Sequence, residues 1–328
     1  MNNTTSPVIS VVIVSYNTCQ LLEKCLNVLL KDSPEIALQI IVVDNASSDG
    51  SCELISSKFP QVTLIKSEKN LGFAAANNKG FALAKGKYVV LLNSDAFLHP
   101  GTLQNAFSKM ENDPHIGLGG AQLVGLEGER QPSARPFPAF FNYFLRLSGL
   151  ADKYPHSKIF GTGDGTVNGF KDARETDWVP GAFSIIRRSV LDRVGYFDEK
   201  FYFYYEEIDL CRRIKAAGYS VWYWPDVVVT HLVGGSSKSK TDSEYKANSN
   251  DKMMLWYFRS TFIYYRKYYG FVGAQVIKNI QMIWHYLRVW KNKIVDQNKV
   301  GESQRIMNLL RQAWKDTQGG RISPPTPW

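Results

Sequence analysis

The apolar positions of the first hundred residues switch between two periods. Val8 to Ser15 is a β-branched run of strand length. After it, Leu21, Leu22, Cys25, Leu26, Leu29 and Leu30 recur at helical spacing on one face. Ile40 to Asp44 reads as a second strand. The turn Asn45-Ala46-Ser47-Ser48-Asp49-Gly50 is rich in capping residues and opens a short helix. Val62 to Lys66 is a third strand, and Phe73 to Lys85 a small-residue helix stopped by Gly86. Tyr88 to Leu92 is a fourth strand, apolar enough to be buried on both faces. This βαβ alternation predicts an α/β fold with a doubly wound, mostly parallel sheet. Such sheets bind their ligands at the C-terminal ends of the strands.

The pattern loosens over residues 125–176, where Pro and Gly are frequent and loops with short helices are expected. It resumes with a strand from Ala182 to Ile186, a short helix from Ser189 to Val194, a helix from Glu206 to Ala217 and a strand within Ser220 to His231. Gly234 to Asn250 is polar and reads as a loop. Residues 252–293 read as two aromatic-rich helices broken near Gly270, and a last helix runs around Ser303 to Lys315, ahead of a disordered Pro-rich tail at 324–327. The expected division is a sheet domain over 1–250 and a helical region over 251–328.

Composition narrows the function class. The chain has 328 residues, 44% hydrophobic and 21% charged, ordinary values for a globular protein. Four cysteines, none in a CxxC pair, fit a reducing compartment. No signal peptide and no spanning apolar stretch is expected, which suits a cytoplasmic protein. The net charge of +9 is local: residues 1–251 carry 26 basic and 27 acidic residues, whereas 252–293 carry eight basic residues and no acidic one. An anionic surface is the partner this suggests for the C-terminal part. No nucleic-acid-binding motif accompanies the charge.

Candidate chemistry collects where the strands end. The first closes on Ser15-Tyr16-Asn17, the second on Asp44-Asn45 and the fourth on Asn93-Ser94-Asp95. An aspartate there can accept a hydrogen bond from a base or ribose, although Asn17, Asn45 and Ser47 are also helix-capping types. Asn93-Ser94-Asp95 has the form of a D-x-D pair with Asn first, and such oxygens suit Mg²⁺ or Mn²⁺ on a diphosphate. Glu206-Glu207-Ile208-Asp209 opens a helix; Glu207 shares a side with the apolar Leu210, Cys211 and Ile214, whereas Glu206, Asp209 and Arg213 share another. A carboxylate on the apolar side suits a general base. His231 ends a strand before Gly234-Gly235, as a metal or phosphate ligand or as a structural residue. Trp178 with Gly181 and Ala182 reads as a sugar-stacking platform or as core.

Together these segments resemble the family-2 inverting glycosyltransferases of the GT-A fold. The likeness rests on VVIVSYN (11–17), VVDNASSDGS (42–51), NLGFAAANNKG (70–80), LLNSD (91–95), WVPGAFSIIRRSVLDRVGYFDEKF (178–201), YYEEIDLCRRIKAAGY (204–219) and HLVGGSS (231–237), in that order. NLGFAAANN, NSD and EEIDLCRR look most like the rhamnosyltransferase branch. The resemblance implies a nucleoside site made by Ser15, Asn17 and Asp44 and shaped by Asn70, Gly72, Phe73 and Asn77. It implies Asn93 and Asp95 at the diphosphate, a divalent metal (Mg²⁺ or Mn²⁺) on Asp95 and His231, and Glu207 as base with Glu206 as the alternative. Trp178, Gly181 and Ala182 would lie toward the acceptor. The donor implied is a nucleotide-diphosphate sugar, dTDP-L-rhamnose first. The acceptor implied is a lipid-linked or polysaccharide hydroxyl in cell-surface glycan synthesis. A dinucleotide enzyme lacks support, because Ser15-Tyr16-Asn17 stands where G-x-G-x-x-G would follow the first strand. A non-catalytic sugar-nucleotide-binding protein of the same fold is the alternative to an enzyme.

Residues 252–293 also hold twelve aromatics. Lys252, Arg259 and Arg266 recur every seven residues along the first helix. In the second, Val276, Ile280, Ile283, Leu287 and Trp290 form one face, and Lys278, Gln281, His285, Arg288 and Asn292 another. Both helices are expected to lie on the inner face of a membrane, as a peripheral anchor, or else to pack on the sheet domain.

Overall fold

Four strands, β1 (Ile9–Ser15), β2 (Leu38–Asp44), β3 (Thr63–Lys66) and β4 (Tyr88–Asn93), run parallel in the order β3-β2-β1-β4 in the computed structural model. It describes residues 7–32, 35–154, 157, 171–232 and 243–324. The central runs are apolar at successive positions because both faces are covered. On one face Val11 and Ile13 pack with Leu22, Cys25, Leu26 and Leu29 of α1 (Cys19–Asp32). On the other, Val12 meets α3 (Gly72–Leu83), which follows the short α2 (Ser51–Lys58). A Cβ on Gly80 would lie 2.3 Å from Val12 Cγ1, so glycine is what lets α3 come this close. These elements stand within a few residues of the expected ones.

The second half of the sheet holds what periodicity did not reveal. After β5 (Ala96–Leu98) and α4 (Thr102–Asn112) comes β6 (Ile116–Val124), a buried strand in a stretch where none was expected. Gly117, Gly119 and Gly120 hide its alternation. They are small for a reason: a Cβ on Gly119 would lie 2.0 Å from the Trp224 ring, and one on Gly120 2.6 Å from Val179. Next in the chain are α5 (Phe140–Leu147), α6 (Leu150–Lys153), β7 (Arg174–Glu175), β8 (Phe183–Arg187), α7 (Arg188–Val194), α8 (Glu206–Ala216) and β9 (Ser220–His231). The sheet continues β4-β8-β6-β9-β5, with β7 also on β9. β8 is antiparallel to both β4 and β6, and β6 is parallel to β9. β5 and β7 are antiparallel to β9, so most described strands share one direction, as expected, with β5, β7 and β8 reversed.

The chain divides into two compact units: Met1–Phe137, Pro155–Asp198 and Glu207–Ser239 form the sheet unit, and Pro138–Tyr154, Glu199–Glu206 and Lys240–Trp328 the helical unit. The helical unit thus draws in two stretches that lie before the expected boundary at 250. Their aromatic residues explain why: Phe140 packs on Tyr265 with ring centroids 5.1 Å apart, and Tyr202 on Trp256 at 4.4 Å. The unit is built on α9 (Ser243–Val295), kinked at Gly270 with φ 69°, and α10 (Asn298–Asp316). The polar stretch 234–250, expected as a loop, is helical from Ser243 onward. The remainder of that loop, part of 155–170 and the tail beyond residue 324 lie outside the described residues.

The expected basic stripe of the first half of α9 does not form. Arg259 is buried, stacks 4.5 Å from the Trp256 ring centroid and pairs with Asp316. Arg266 lies over Phe271, and of the three only Lys252 is exposed. Phe262, Tyr264 and Tyr265 around them are buried, which makes this half a packing element and not a membrane face. No described helix is long and apolar enough to cross a membrane. All four cysteines are free.

Candidate active site

Parallel register brings three predicted residues to one edge of the sheet. Ser15 pairs with Asp44, and Val14 with Asn93. The strand ends are then tied by hydroxyls: Ser15 Oγ lies 2.9 Å from Thr18 Oγ1, which donates to Ser94 Oγ at 2.9 Å. Ser15, expected at the nucleoside, is fully buried with its hydroxyl engaged by Thr18. Asn17 takes the left-handed conformation (φ 53°), which Asn tolerates. Its Oδ1 accepts from Ser48 N at 2.9 Å and its own N–H donates to Ser47 Oγ at 3.0 Å, joining the β1 and β2 loops. Asp49 completes the clamp by accepting from Cys19 N at 2.7 Å. Burial opposes ionisation of Asp49, but hydrogen bonds from Ser51 and Cys19 outweigh it and lower its pKa.

Asp44 is buried; Oδ1 accepts from Ser47 N at 3.0 Å, and among the described residues no N–H or O–H donor reaches Oδ2. The Cys52 thiol beside it is pushed up to about 11, first by burial and then by the Asp44 charge. A buried carboxylate oxygen short of donors is costly, and a ribose hydroxyl or base N–H would satisfy it. The next residue, Asn45, organises the adjoining loop. Its Nδ2 donates to Asn70 Oδ1 and Gly72 O at 3.0 and 3.1 Å, and its Oδ1 accepts from Leu71 N at 2.8 Å. Gly72 sits at φ 80°, where a side chain would be strained. Asn77 is fully buried and donates to Phe73 O at 2.9 Å, so it shapes α3 from within.

 

Asp95 and His231 are 136 positions apart in sequence, yet their side chains meet: Nε2 of His231 is 3.6 Å from Asp95 Oδ1. They meet because β5 pairs with β9, Ala96 opposite His231, while Leu232 N donates to Asp95 O at 3.1 Å. Gln131 holds the imidazole from behind: its Nε2 donates to His231 O at 2.8 Å, and its Oε1 lies 3.2 Å from His231 Nδ1. With Nδ1–H donating to Gln131, the Nε2 lone pair faces Asp95. Burial lowers the His231 pKa and the Asp95 charge only partly offsets this, which favours the neutral imidazole a metal requires. Donors to one cation bind it at roughly 2.0–2.6 Å, so a nitrogen and an oxygen 3.6 Å apart can share it. The described residues contain no group of three or more His, Cys, Asp or Glu placed for a metal. The spacing of the Asp95–His231 pair is compatible with two donors to one cation.

α8 is entered through Tyr204 and Tyr205, both left-handed (φ 70° and 73°), a strained approach of the kind found at functional sites. The helix is then locked. Asp209 is fully buried and accepts from Arg213 Nε at 2.8 Å, and Arg213 also donates to the carbonyls of Val194, Gly195 and Tyr196. This seam buries the side of the helix that was expected to be the polar one. Glu206 is buried, whereas Glu207, expected on the buried side, is half-buried with its Oε2 buried.

The sequence model of the family described as Glycosyl transferase family 2 matches residues 10–195. The chain belongs to this glycosyltransferase family. A relative from Mycobacterium tuberculosis, N-acetylglucosaminyl-diphospho-decaprenol L-rhamnosyltransferase, is 27% identical over 235 residues, covering 68% of this chain and 76% of its own. Two solved structures share the fold. The mannosyltransferase PcManGT from Pyrobaculum calidifontis, in complex with GDP-Man and Mn²⁺, matches with a TM-score of 0.50 and 19% identity over 96% of this chain and 76% of that one. GalNAc-T7 with UDP, GalNAc and Mn²⁺ matches with a TM-score of 0.53 and 15% identity over 78% of this chain and 51% of that one. The protein is thus a glycosyltransferase with a GT-A-type sheet and C-terminal helices.

Within this glycosyltransferase the three residues read toward the acceptor are packed. Trp178 is buried, its indole N–H donates to Pro136 O at 2.9 Å and the Arg135 guanidinium lies 5.1 Å from its ring centroid, the core arrangement of the two expected. A Cβ on Gly181 would lie 3.3 Å from Leu91 Cδ2, a tight contact. Ala182 accepts from Asn93 N at 3.1 Å, fixing the Asn-Ser-Asp turn. Thr18, Ser94, Asn45 and Gln131 are the supporting residues that motif reading did not single out as site residues. Thr18 and Ser94 flank motif positions, but nothing local marks Gln131, whose partner lies 100 residues away.

Proposed function

We propose that this enzyme transfers a sugar from a nucleoside-diphosphate donor to a hydroxyl of a lipid-linked acceptor, in one displacement that inverts the anomeric centre. The Asp95–His231 pair carries the reading, because it sets a carboxylate beside an imidazole at the strand edge that also bears Asp44. Asp44, Asn17 and the Asn70–Phe73 turn take the nucleoside. Asn93 and Asp95 face the diphosphate, and Asp95 with His231 holds a divalent cation, Mg²⁺ or Mn²⁺. When bound, that cation neutralises charge on the departing nucleoside diphosphate. Glu207 accepts the proton of the acceptor hydroxyl as its oxygen bonds to the anomeric carbon and the bond to the diphosphate oxygen breaks. Glu206, buried at the start of the helix, serves to place Glu207.

The donor proposed is dTDP-L-rhamnose and the acceptor a sugar carried on a polyprenyl diphosphate. Support comes from the M. tuberculosis relative, whose name specifies rhamnosyl transfer to N-acetylglucosaminyl-diphospho-decaprenol. The place of action is the inner face of the membrane, in the assembly of cell-surface glycan. The test is a panel of dTDP-, UDP- and GDP-sugars with Mn²⁺ or Mg²⁺, with and without a polyprenyl-diphosphate acceptor. Acceptor-dependent release of dTDP from dTDP-rhamnose, and a product of inverted anomeric configuration by NMR, are expected. Turnover with another donor class alone would replace the donor; retained configuration would remove the single displacement. Full turnover in excess chelator would remove the cation.

A further inference from the structure

The second half of α9, residues 271–295, is built with its polarity reversed. Gln281, His285 and Asn292 point inward and are buried, together with Ser303 of α10. Among the described residues, Gln281 Nε2, His285 Nδ1 and Ser303 Oγ have no hydrogen-bond partner. The apolar stripe points outward: Val276, Ile283, Tyr286, Leu287, Trp290 and Ile294 are 38–74% exposed. At 100° per residue these six fall on one face of the helix. Phe144 of α5, itself 42% exposed, packs edge-on to Trp284 and extends the apolar surface within the same unit. A stripe of this size on water marks an interaction surface.

Charge selects the occupant. Lys291 and Lys293 are exposed and flank the stripe on its two sides, and residues 252–293 contain no acidic residue. A second copy docked face to face would bring like charges together, whereas an anionic bilayer attracts them. Tyr286 and Trp290 are the side chains that favour the headgroup region. No described helix is long and apolar enough to cross a bilayer, so the face would lie in the interface plane. We propose that the outward face of residues 271–295 docks this protein on an anionic lipid surface. This deepens the proposed action on a lipid-linked acceptor, and assigns to the second half alone the membrane role expected of the whole aromatic region.

Co-sedimentation of the full-length protein with phosphatidylglycerol–phosphatidylcholine vesicles tests this without donor or acceptor. Wild type is expected to sediment at low salt and less at high salt. The variant Ile283→Ser/Leu287→Ser/Trp290→Ser should lose at least about tenfold in vesicle partitioning. Lys291→Gln/Lys293→Gln should lose its preference for anionic over pure phosphatidylcholine vesicles. All five positions are exposed, and unchanged melting temperatures would confirm intact folds. Wild type that remains in the supernatant, or a triple variant that sediments like wild type, overturns the proposal. Lipid-independent dimerisation that the triple variant abolishes, with no vesicle binding, assigns the face to a second copy instead. Sugar transfer to a water-soluble acceptor should persist in the triple variant. If transfer persists while wild-type vesicle binding is absent, only the docking face falls; if vesicle binding stands while no donor turns over, only the reaction falls.

Discussion

The two halves of α9 share an aromatic and basic composition and have opposite surroundings. In the first, Phe262, Tyr264 and Tyr265 are buried and Arg259 is enclosed with Asp316. In the second, Trp290 and Ile294 are exposed while Gln281 and His285 are buried. Composition is therefore a poor guide to which side of a helix faces inward. The neighbours decide it: the first half is surrounded by α5, the 202–205 segment and α10, and the second is covered on its polar side only. The sheet edge behaves differently again, since its polar residues are local to strand ends and stand where the pattern put them.

The largest expected effect tests the proposed base on α8 against residues that only pack. Glu207→Gln should lower turnover by roughly two to four orders of magnitude with donor binding and melting temperature nearly unchanged. Near-normal turnover, measured as nucleoside diphosphate release, would remove Glu207 as base. A comparable loss confined to Glu206→Gln would move the role to its buried neighbour.

The contrast within α9 is next in size. Phe262→Ala should destabilise by about 3–5 kcal/mol, because it empties a fully buried aromatic site. Ile283→Ser, on the exposed stripe, should change stability by no more than about 0.5 kcal/mol. Denaturant unfolding of the two variants checks both, and equal losses would erase the distinction between the halves.

A smaller effect tests the support behind the sheet edge. Gln131→Leu should raise the Mn²⁺ concentration for half-maximal activity by about 10–100-fold, and Gln131→Glu should restore much of it by accepting from the same imidazole N–H. An unchanged Mn²⁺ dependence would show that His231 needs no such hold.

The smallest effect is on pH. Burial, then the nearby Arg288 charge, lowers the His285 pKa, with Glu302 partly offsetting it. The unfolded chain therefore binds a proton first as pH falls below about 6.5, and stability should decline from there toward the folded-state pKa and stay level above it. His285→Gln should make that decline shallower in melting curves across pH. An identical decline would place the titration elsewhere.

Local pattern carried far into this protein. The strands β1 to β4 and their helices follow from periods of two and 3.6, and the positions of Asp44, Asn93 and Asp95 follow from where those strands end. Motif order carried the family. What local pattern could not contain is the choice of partner. β6 was hidden because its glycines serve the Trp224 ring and Val179. Asp209 is enclosed because Arg213 pairs with it and ties α8 to the carbonyls of Val194 to Tyr196. Gln131 meets His231 only through the sheet. The stripe of residues 271–295 was visible as a stripe, yet its outward direction was settled by α10 taking the polar side. Periodicity is a property of neighbours in sequence, whereas burial is a property of neighbours in space, and only the folded chain brings the second kind together.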